Sequence, residues 1–379
     1  MPQRGRAVAK RAESLPNAVN RVRPSVSGSY IPHVLERIGY RPEMASWVTA
    51  HDARIGRVTR VDRGVAGVLT EDGPVRSGFG AGVLCAMADD GTNMPSAGDF
   101  VVVRDWPDHK VTIEEVLPRR SAVVRATAGE QSRGQVLCAN LDLAAAVVSL
   151  HPAPSIGKVE RLLALAWESG AQPLVVLTKA DIVPDAAHVA KDVATAAPDV
   201  EVICCSTVTG EGLPRLHELV AGSKTLALLG ASGHGKSSLT NALVGADVLT
   251  TRGIRADGRG RHTSVRRELV VLPTGGAVID TPGLRGVGLV DTDDGLAHVF
   301  ADVVTLAAGC RFGDCSHRAE PGCAVAAAIA DGTLPLRRLE SWQRLCHEVE
   351  VMAARKEARL RHEPPRRTRH LRNGGSALR

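Results

Sequence analysis

The residues most able to do chemistry form a run with phosphate-binding spacing, Gly230-Ala231-Ser232-Gly233-His234-Gly235-Lys236-Ser237. Glycines at this Gly-x4-Gly-Lys-Ser spacing let backbone N–H groups turn inward around phosphate oxygens with no Cβ in the way. Lys236 brings a point charge to the β/γ oxygens, and a helix opening here adds its partial positive end. Ser237 offers a hydroxyl to Mg²⁺, with Ser238 beside it. Downstream, Asp280-Thr281-Pro282-Gly283 ends the apolar run Ala277-Val278-Ile279. A carboxylate there can hold Mg²⁺ through water, and the Gly283 N–H can meet a γ-phosphate.

The base is chosen upstream, by Thr178-Lys179-Ala180-Asp181. The Asp181 carboxylate can accept from both N1–H and N2–H₂ of guanine. Adenine presents an acceptor at N1 and would leave that charge unpaired, which is costly in a pocket. Lys179 lays its alkyl stem along the base plane. Cys205-Ser206-Thr207, followed by Gly210-Glu211-Gly212-Leu213, fits a loop whose backbone reaches guanine O6. Taken together the motifs call for GTP. Their order is rotated, because the guanine motif precedes the phosphate loop, and this implies a circularly permuted GTPase.

Between the loop and Asp280 lies Gly258-Arg259-Gly260-Arg261-His262-Thr263-Ser264, whose glycines suit a switch. Thr263, with Ser264 as rival, would complete the Mg²⁺ shell when GTP is bound. Leu284 stands where many GTPases carry a water-orienting glutamine, so intrinsic hydrolysis should be slow. His262 could orient the water instead, or a partner could complete the site. The catalytic candidates are therefore Lys236, His262 and Thr263.

Cys310-x4-Cys315-x-His317-x5-Cys323 supplies three thiols and an imidazole within fourteen residues. Four such ligands suit tetrahedral Zn²⁺ and leave no open position, so one structural ion is expected. The cysteines at 85, 138, 204 and 205 lie in apolar stretches and read as core; a disulfide framework is not expected in a cytosolic chain.

Elements must position these residues. The chain has 379 residues, 44% of them hydrophobic, which allows several domains. Residues 1–45 are rich in Arg, Pro and Ser and read as a mobile basic extension. Over 46–117, short segments such as Ala53–Val58, Val65–Leu69, Gly98–Val103 and Val111–Leu117 suggest a small antiparallel barrel of OB type, with a β-sandwich as the alternative. Residues 118–300 alternate strand and helix, which implies a largely parallel sheet with helices on both faces. Residues 301–350 read as a mainly helical zinc domain, and 351–379 as a basic tail. The net charge is +6, with arginines concentrated in that tail, and aromatics are only 3%. Any contact with RNA should therefore rely on phosphates and shape more than on stacking. The N-terminus is basic without a hydrophobic secretory core and no apolar run approaches the length of a membrane span, so a cytoplasmic protein with no membrane contact is expected, and nothing in the sequence demands more than a monomer.

In this motif order, and in Leu117-Pro118-Arg119-Arg120-Ser121 and Asn140-Leu141-Asp142, the chain resembles the small ribosomal subunit biogenesis GTPases (the RsgA, or YjeQ, family) over about residues 46–350. The resemblance implies an OB domain, a permuted GTPase and a zinc domain. It also implies docking on rRNA of the small ribosomal subunit during late maturation, with hydrolysis of GTP to GDP stimulated by that subunit. There are two departures. Thr178 stands where asparagine is commoner among GTPases, which removes a bracing amide. His234 is a bulky titratable residue where a small apolar one is expected. Two rivals belong to other classes: a GTP-gated RNA-binding module in which hydrolysis is incidental, favoured by Leu284, and a P-loop enzyme acting on a small molecule, opposed by Asp181 and the Cys3His set.

Overall fold

The computed structural model describes residues 34–126, 134–249, 267–284, 293–318 and 320–362. The switch segment Gly258–Ser264, with His262 and Thr263, lies outside the described residues, as do the first 33 residues and 363–379.

Five strands, β1 (Ala53–Asp62), β2 (Val65–Thr70), β3 (Gly73–Phe79), β4 (Phe100–Asp105) and β5 (Val111–Val116), form the N-terminal barrel. They pair in the order β1-β2-β3-β5-β4, and β4 returns to β1 to close the ring. All of these pairings are antiparallel except β3 with β5. Helix α1 (Ala81–Asp89) joins β3 to β4. This is the OB-like arrangement, and the sandwich alternative falls. Val58, Val68, Val101, Val103 and Ile113 fill the barrel, as the period-2 alternation of its strands requires. Cys85, expected in the core, is exposed on α1, because the helix turns it outward.

Part of the stretch read as an extension, residues 34–45, lies among the described residues. Residues 36–38 and 42–47 form short 3-10 turns, and Leu35 and Ile38 are buried against the main core. Arg37 reinforces the docking by donating to Pro273 O at 2.6 Å. Composition hid this segment because only a few apolar residues, interleaved with charges, anchor it.

After the β6 (Ala122–Ala126) and β7 (Gly134–Ala139) hairpin comes the nucleotide-type sheet. It contains β8 (Leu143–Ser149), β9 (Gln172–Thr178), β10 (Glu201–Cys205), β11 (Thr225–Leu229), β12 (Glu268–Val271) and β13 (Ala277–Asp280). Their spatial order is β10-β9-β8-β11-β13-β12, with β12 antiparallel to β13 and the other neighbours parallel. The connecting helices are α2 (Ile156–Glu168), α3 (Ala186–Thr195), α4 (Leu213–Val220) and α5 (Lys236–Val244). Strand β8 is buried along its whole length, as a strand covered on both faces must be. The sheet does not stop at β12. Arg60 of β1 pairs with Glu268, so the barrel continues the same ladder.

A buried guanidinium reinforces this junction. Arg57 of β1 donates to the carbonyls of Ile38, Gly98 and Asn140, which belong to the N-terminal segment, the barrel and the entry to β8. Nearby, Arg119 grips the buried Asp99 through two nitrogens, each at 2.7 Å.

The C-terminal part is helical: α6 (Asp293–Val299), α7 (Ala301–Ala307), α8 (Ala324–Ala330) and α9 (Leu336–His362). Helix α9 extends into the region read as a tail. It docks on α2 through Arg338, which reaches Glu160 at 2.8 Å and Asp302 at 2.7 Å, with both Arg338 and Glu160 essentially inaccessible to water.

Candidate nucleotide site and metal centre

The site lies where β8, β9, β11 and β13 end, because strand ends in such a sheet leave a crevice for ligands. Strand β11 runs directly into the phosphate loop, and α5 begins at Lys236. Gly233 and Gly235 adopt φ of 86° and 83°, conformations that a side chain would strain. A Cβ on Gly230 would come within 2.3 Å of Val147 O, so only glycine lets the loop lie this close to β8.

Lys236 Nζ donates to Gly230 O at 2.8 Å and Ala231 O at 3.0 Å, so the ammonium lies inside the curl of the loop. Burial pushes its pKa down, and the Asp280 carboxylate opposes that shift. Asp280, at the end of β13, accepts from Ser237 Oγ at 2.6 Å through one oxygen. Its other oxygen, Oδ1, is buried and has no partner among the described residues. Burial raises the Asp280 pKa against the pull of Ser237 and Lys236. A hydroxyl bonded to a carboxylate with one orphaned oxygen fits a magnesium position served by Ser237 and Asp280. Gly283 packs on the loop so closely that a Cβ would meet Ser232 N at 2.5 Å, and Leu284 N donates to Gly230 O at 3.0 Å. The Asp280–Gly283 segment therefore sits over the phosphate loop, as its motif requires.

The guanine motif follows β9. Lys179 takes a left-handed conformation (φ 62°), turning the chain so that Asp181 faces the loop after β10. There Ser206 Oγ donates to Asp181 Oδ1 at 2.6 Å and itself accepts from the N–H groups of Val208 and Thr209. Ser206 thus fixes the orientation of the Asp181 carboxylate. Ser238 lines a small cavity with Thr207 and Asn241 beside this loop. Thr178 Oγ1 donates to His234 O at 2.8 Å, tying base motif to phosphate loop. The bracing expected to be lost with asparagine is in part retained by this hydroxyl. The His234 ring points to β8, with Nδ1 3.0 Å from Val147 O, and burial pushes its pKa down.

Further along the chain, the Cys310, Cys315, His317 and Cys323 ligand atoms all lie within 4.8 Å of one another. His317 Nδ1 is 3.6 Å from both Cys310 Sγ and Cys323 Sγ, and those sulfurs are 3.9 Å apart. Zn–S bonds of about 2.3 Å and Zn–N bonds of about 2.1 Å give tetrahedral edges of roughly 3.6–3.8 Å, so the set fits one zinc ion. Cys323 also caps α8, accepting from Ala326 N, and the His317 ring lies against Trp342 of α9.

The same assembly of parts occurs in known proteins. The family model for the RsgA GTPase matches residues 116–290. A relative from Streptomyces avermitilis, named small ribosomal subunit biogenesis GTPase RsgA, is 47% identical over 348 residues, covering 89% of this chain and 92% of its own. The chain belongs to the RsgA GTPase family. A Streptomyces coelicolor relative of the same name is 50% identical over 312 residues, 81% of this chain and 84% of its own. Among solved structures, YjeQ from Thermotoga maritima aligns with a TM-score of 0.58 at 24% identity, covering 78% of this chain and 98% of its own. YloQ, described as a circularly permuted GTPase, aligns with a TM-score of 0.53 at 24% identity, covering 84% and 98%. The chain therefore has the permuted GTPase fold with an OB-like barrel before it and a Cys3His cluster after it. Among the described residues no helix is long and apolar enough to cross a membrane.

Residues that motif reading missed are those acting at a distance: Arg57, Asp99, Glu160 and Val147. Val147 contributes a backbone carbonyl, which no side-chain pattern reveals. Only burial identifies the other three, since Arg57 and Ile38, Asp99 and Arg119, and Glu160 and Arg338 stand 19, 20 and 178 residues apart.

Proposed function

We propose that this protein hydrolyses GTP to GDP and phosphate while bound to the small ribosomal subunit late in its maturation, and that the subunit stimulates the hydrolysis. The observation carrying the guanine part is Asp181 held by Ser206, with Thr178 linking that motif to the phosphate loop. The ribosomal part is supported by the names of the relatives.

Gly230, Ser232, Gly233, Gly235, Lys236 and Ser238 hold the phosphates; Thr178, Lys179, Asp181 and Ser206 hold the base. Ser237 and Thr263, with Asp280 behind, would hold magnesium, whose chemistry there is to neutralise charge on the nucleotide phosphates. Gly283 senses the γ-phosphate, and His262 orients the attacking water in place of the missing glutamine. Leu284 cannot do so, because its hydrocarbon side chain has no atom to hydrogen-bond a water, and it packs against the core. The barrel over 46–117 and the basic tail would contact rRNA phosphates, and the zinc domain over 301–350 would hold one structural ion. The protein would work as a cytoplasmic monomer.

The deciding experiment is GTP hydrolysis by the purified protein, alone and with small subunits, with large subunits and ATP as controls. Stimulation by small subunits with GTP alone is expected. Hydrolysis indifferent to subunit or nucleotide would overturn the proposal. The packing of Leu284 also favours a second reading, a GTP-gated binding module. Release from the subunit at the normal rate with a non-hydrolysable GTP analogue would favour it.

A further inference from the structure

Position 234 carries a histidine for which phosphate binding has no evident need. The backbone geometry of the loop is set by its glycines, and the charge comes from Lys236. The imidazole Nδ1 lies 3.0 Å from Val147 O on β8. A carbonyl only accepts, so Nδ1 carries the proton and donates. The carbonyl of the same residue accepts from Thr178 Oγ1 at 2.8 Å. That hydroxyl also lies 3.5 Å from Val148 O, but it has a single proton and serves the shorter contact. An asparagine amide would have two N–H donors and could reach both the phosphate loop and the end of β8.

We propose that His234 and Thr178 are a matched pair. His234 is a positioning residue whose imidazole makes the tie to β8 that the one-proton hydroxyl at 178 cannot. The two bonds then clamp residue 234 between β8 and the end of β9, holding the phosphate cradle in register with the base reader. Burial first, and then the charges of Lys236, Lys158 and Lys179, disfavour a charge on the ring, so a neutral imidazole suffices. The pairing rests on the guanine-nucleotide reading above.

The test is equilibrium binding of GDP to the full-length protein, with ATP as control and a melting curve for each variant. His234→Val should weaken GDP binding roughly three- to tenfold, the worth of one hydrogen bond. His234→Asn, whose amide nitrogen can take the place of Nδ1, should recover most of that loss. Thr178→Asn added to His234→Val should also recover affinity, because the amide restores the second donor. Wild-type affinity in His234→Val, or no recovery in a double variant that melts like the wild type, would overturn the pairing. A wild type that binds no guanine nucleotide would fail the site itself, which is a separate outcome.

Discussion

Arg338 offers the sharpest test of how the C-terminal helices are held. Its guanidinium bonds Glu160 at 2.8 Å, Val299 O at 2.8 Å, and Asp302 through two nitrogens at 2.7 and 2.8 Å. Glu160 is fully buried, whereas Asp302 is 39% exposed and can be rehydrated. Replacing Arg338 by methionine leaves the Glu160 carboxylate in the interior with Arg337 at 3.2 Å and Ser341. Stranding one partner of a buried pair costs about 3–5 kcal/mol. The remaining partners argue for the lower end, about 3 kcal/mol, or roughly 6 °C in a chain this long at about 2 °C per kcal/mol. Calorimetry should show the effect in the first unfolding transition, since a protein of several domains need not melt in one step. Removing both charges, in Glu160→Met with Arg338→Met, should recover stability because no charge is then left unpaired. A single variant that melts with the wild type, or a double variant less stable than the single one, would refute the reasoning.

Asp181→Asn should weaken GTP binding by a hundredfold or more, since two hydrogen bonds to a charged acceptor are worth about 1.5–3 kcal/mol each. It should gain affinity for xanthosine nucleotides, whose O2 accepts from the new amide; competition against a fluorescent GDP analogue reads both effects. Cys315→Ser should lose the metal, measured as zinc per chain by atomic emission, and lower the melting temperature with little change in guanine-nucleotide affinity. The depressed pKa of His234 gives a pH signature. Below about pH 6.5 the unfolded chain takes up a proton that the folded imidazole refuses, so stability must fall as pH drops from 6.5 toward the folded value. Melting temperatures between about pH 7 and 5.5 should fall more steeply for wild type than for His234→Asn; parallel curves would count against this assignment.

Sequence patterns revealed most where local rules operate alone. Strands β8 and β11 are short apolar runs, and the glycine loop announces its own geometry, so the elements around the phosphates were legible. Strand β3, Gly-Pro-Val-Arg-Ser-Gly-Phe, was not, because its burial alternates only weakly and its pairing with β5 is set by barrel closure. Arg57 reads as an outward strand residue yet is wholly buried, its cost met by three carbonyls from three parts of the chain. The sequence marks both Asp181 and the Ser206 loop as candidates, but not the hydrogen bond from the Ser206 hydroxyl to Asp181 that joins them across 25 positions. The Thr178–His234 bond joins positions 56 apart and depends on how the loop folds back. Long-range pairs of this kind leave no period in a sequence.

The Arg60–Glu268 bridge also bears on how the chain can be divided. Strand β12 would otherwise be the open margin of the GTPase sheet, with backbone donors and acceptors free to recruit any passing strand. The barrel fills that role, acting as a guard for its neighbour as well as a domain in its own right. A fragment beginning near residue 118 would keep the phosphate loop and guanine motif but present an unguarded margin, and self-association would be its characteristic failing.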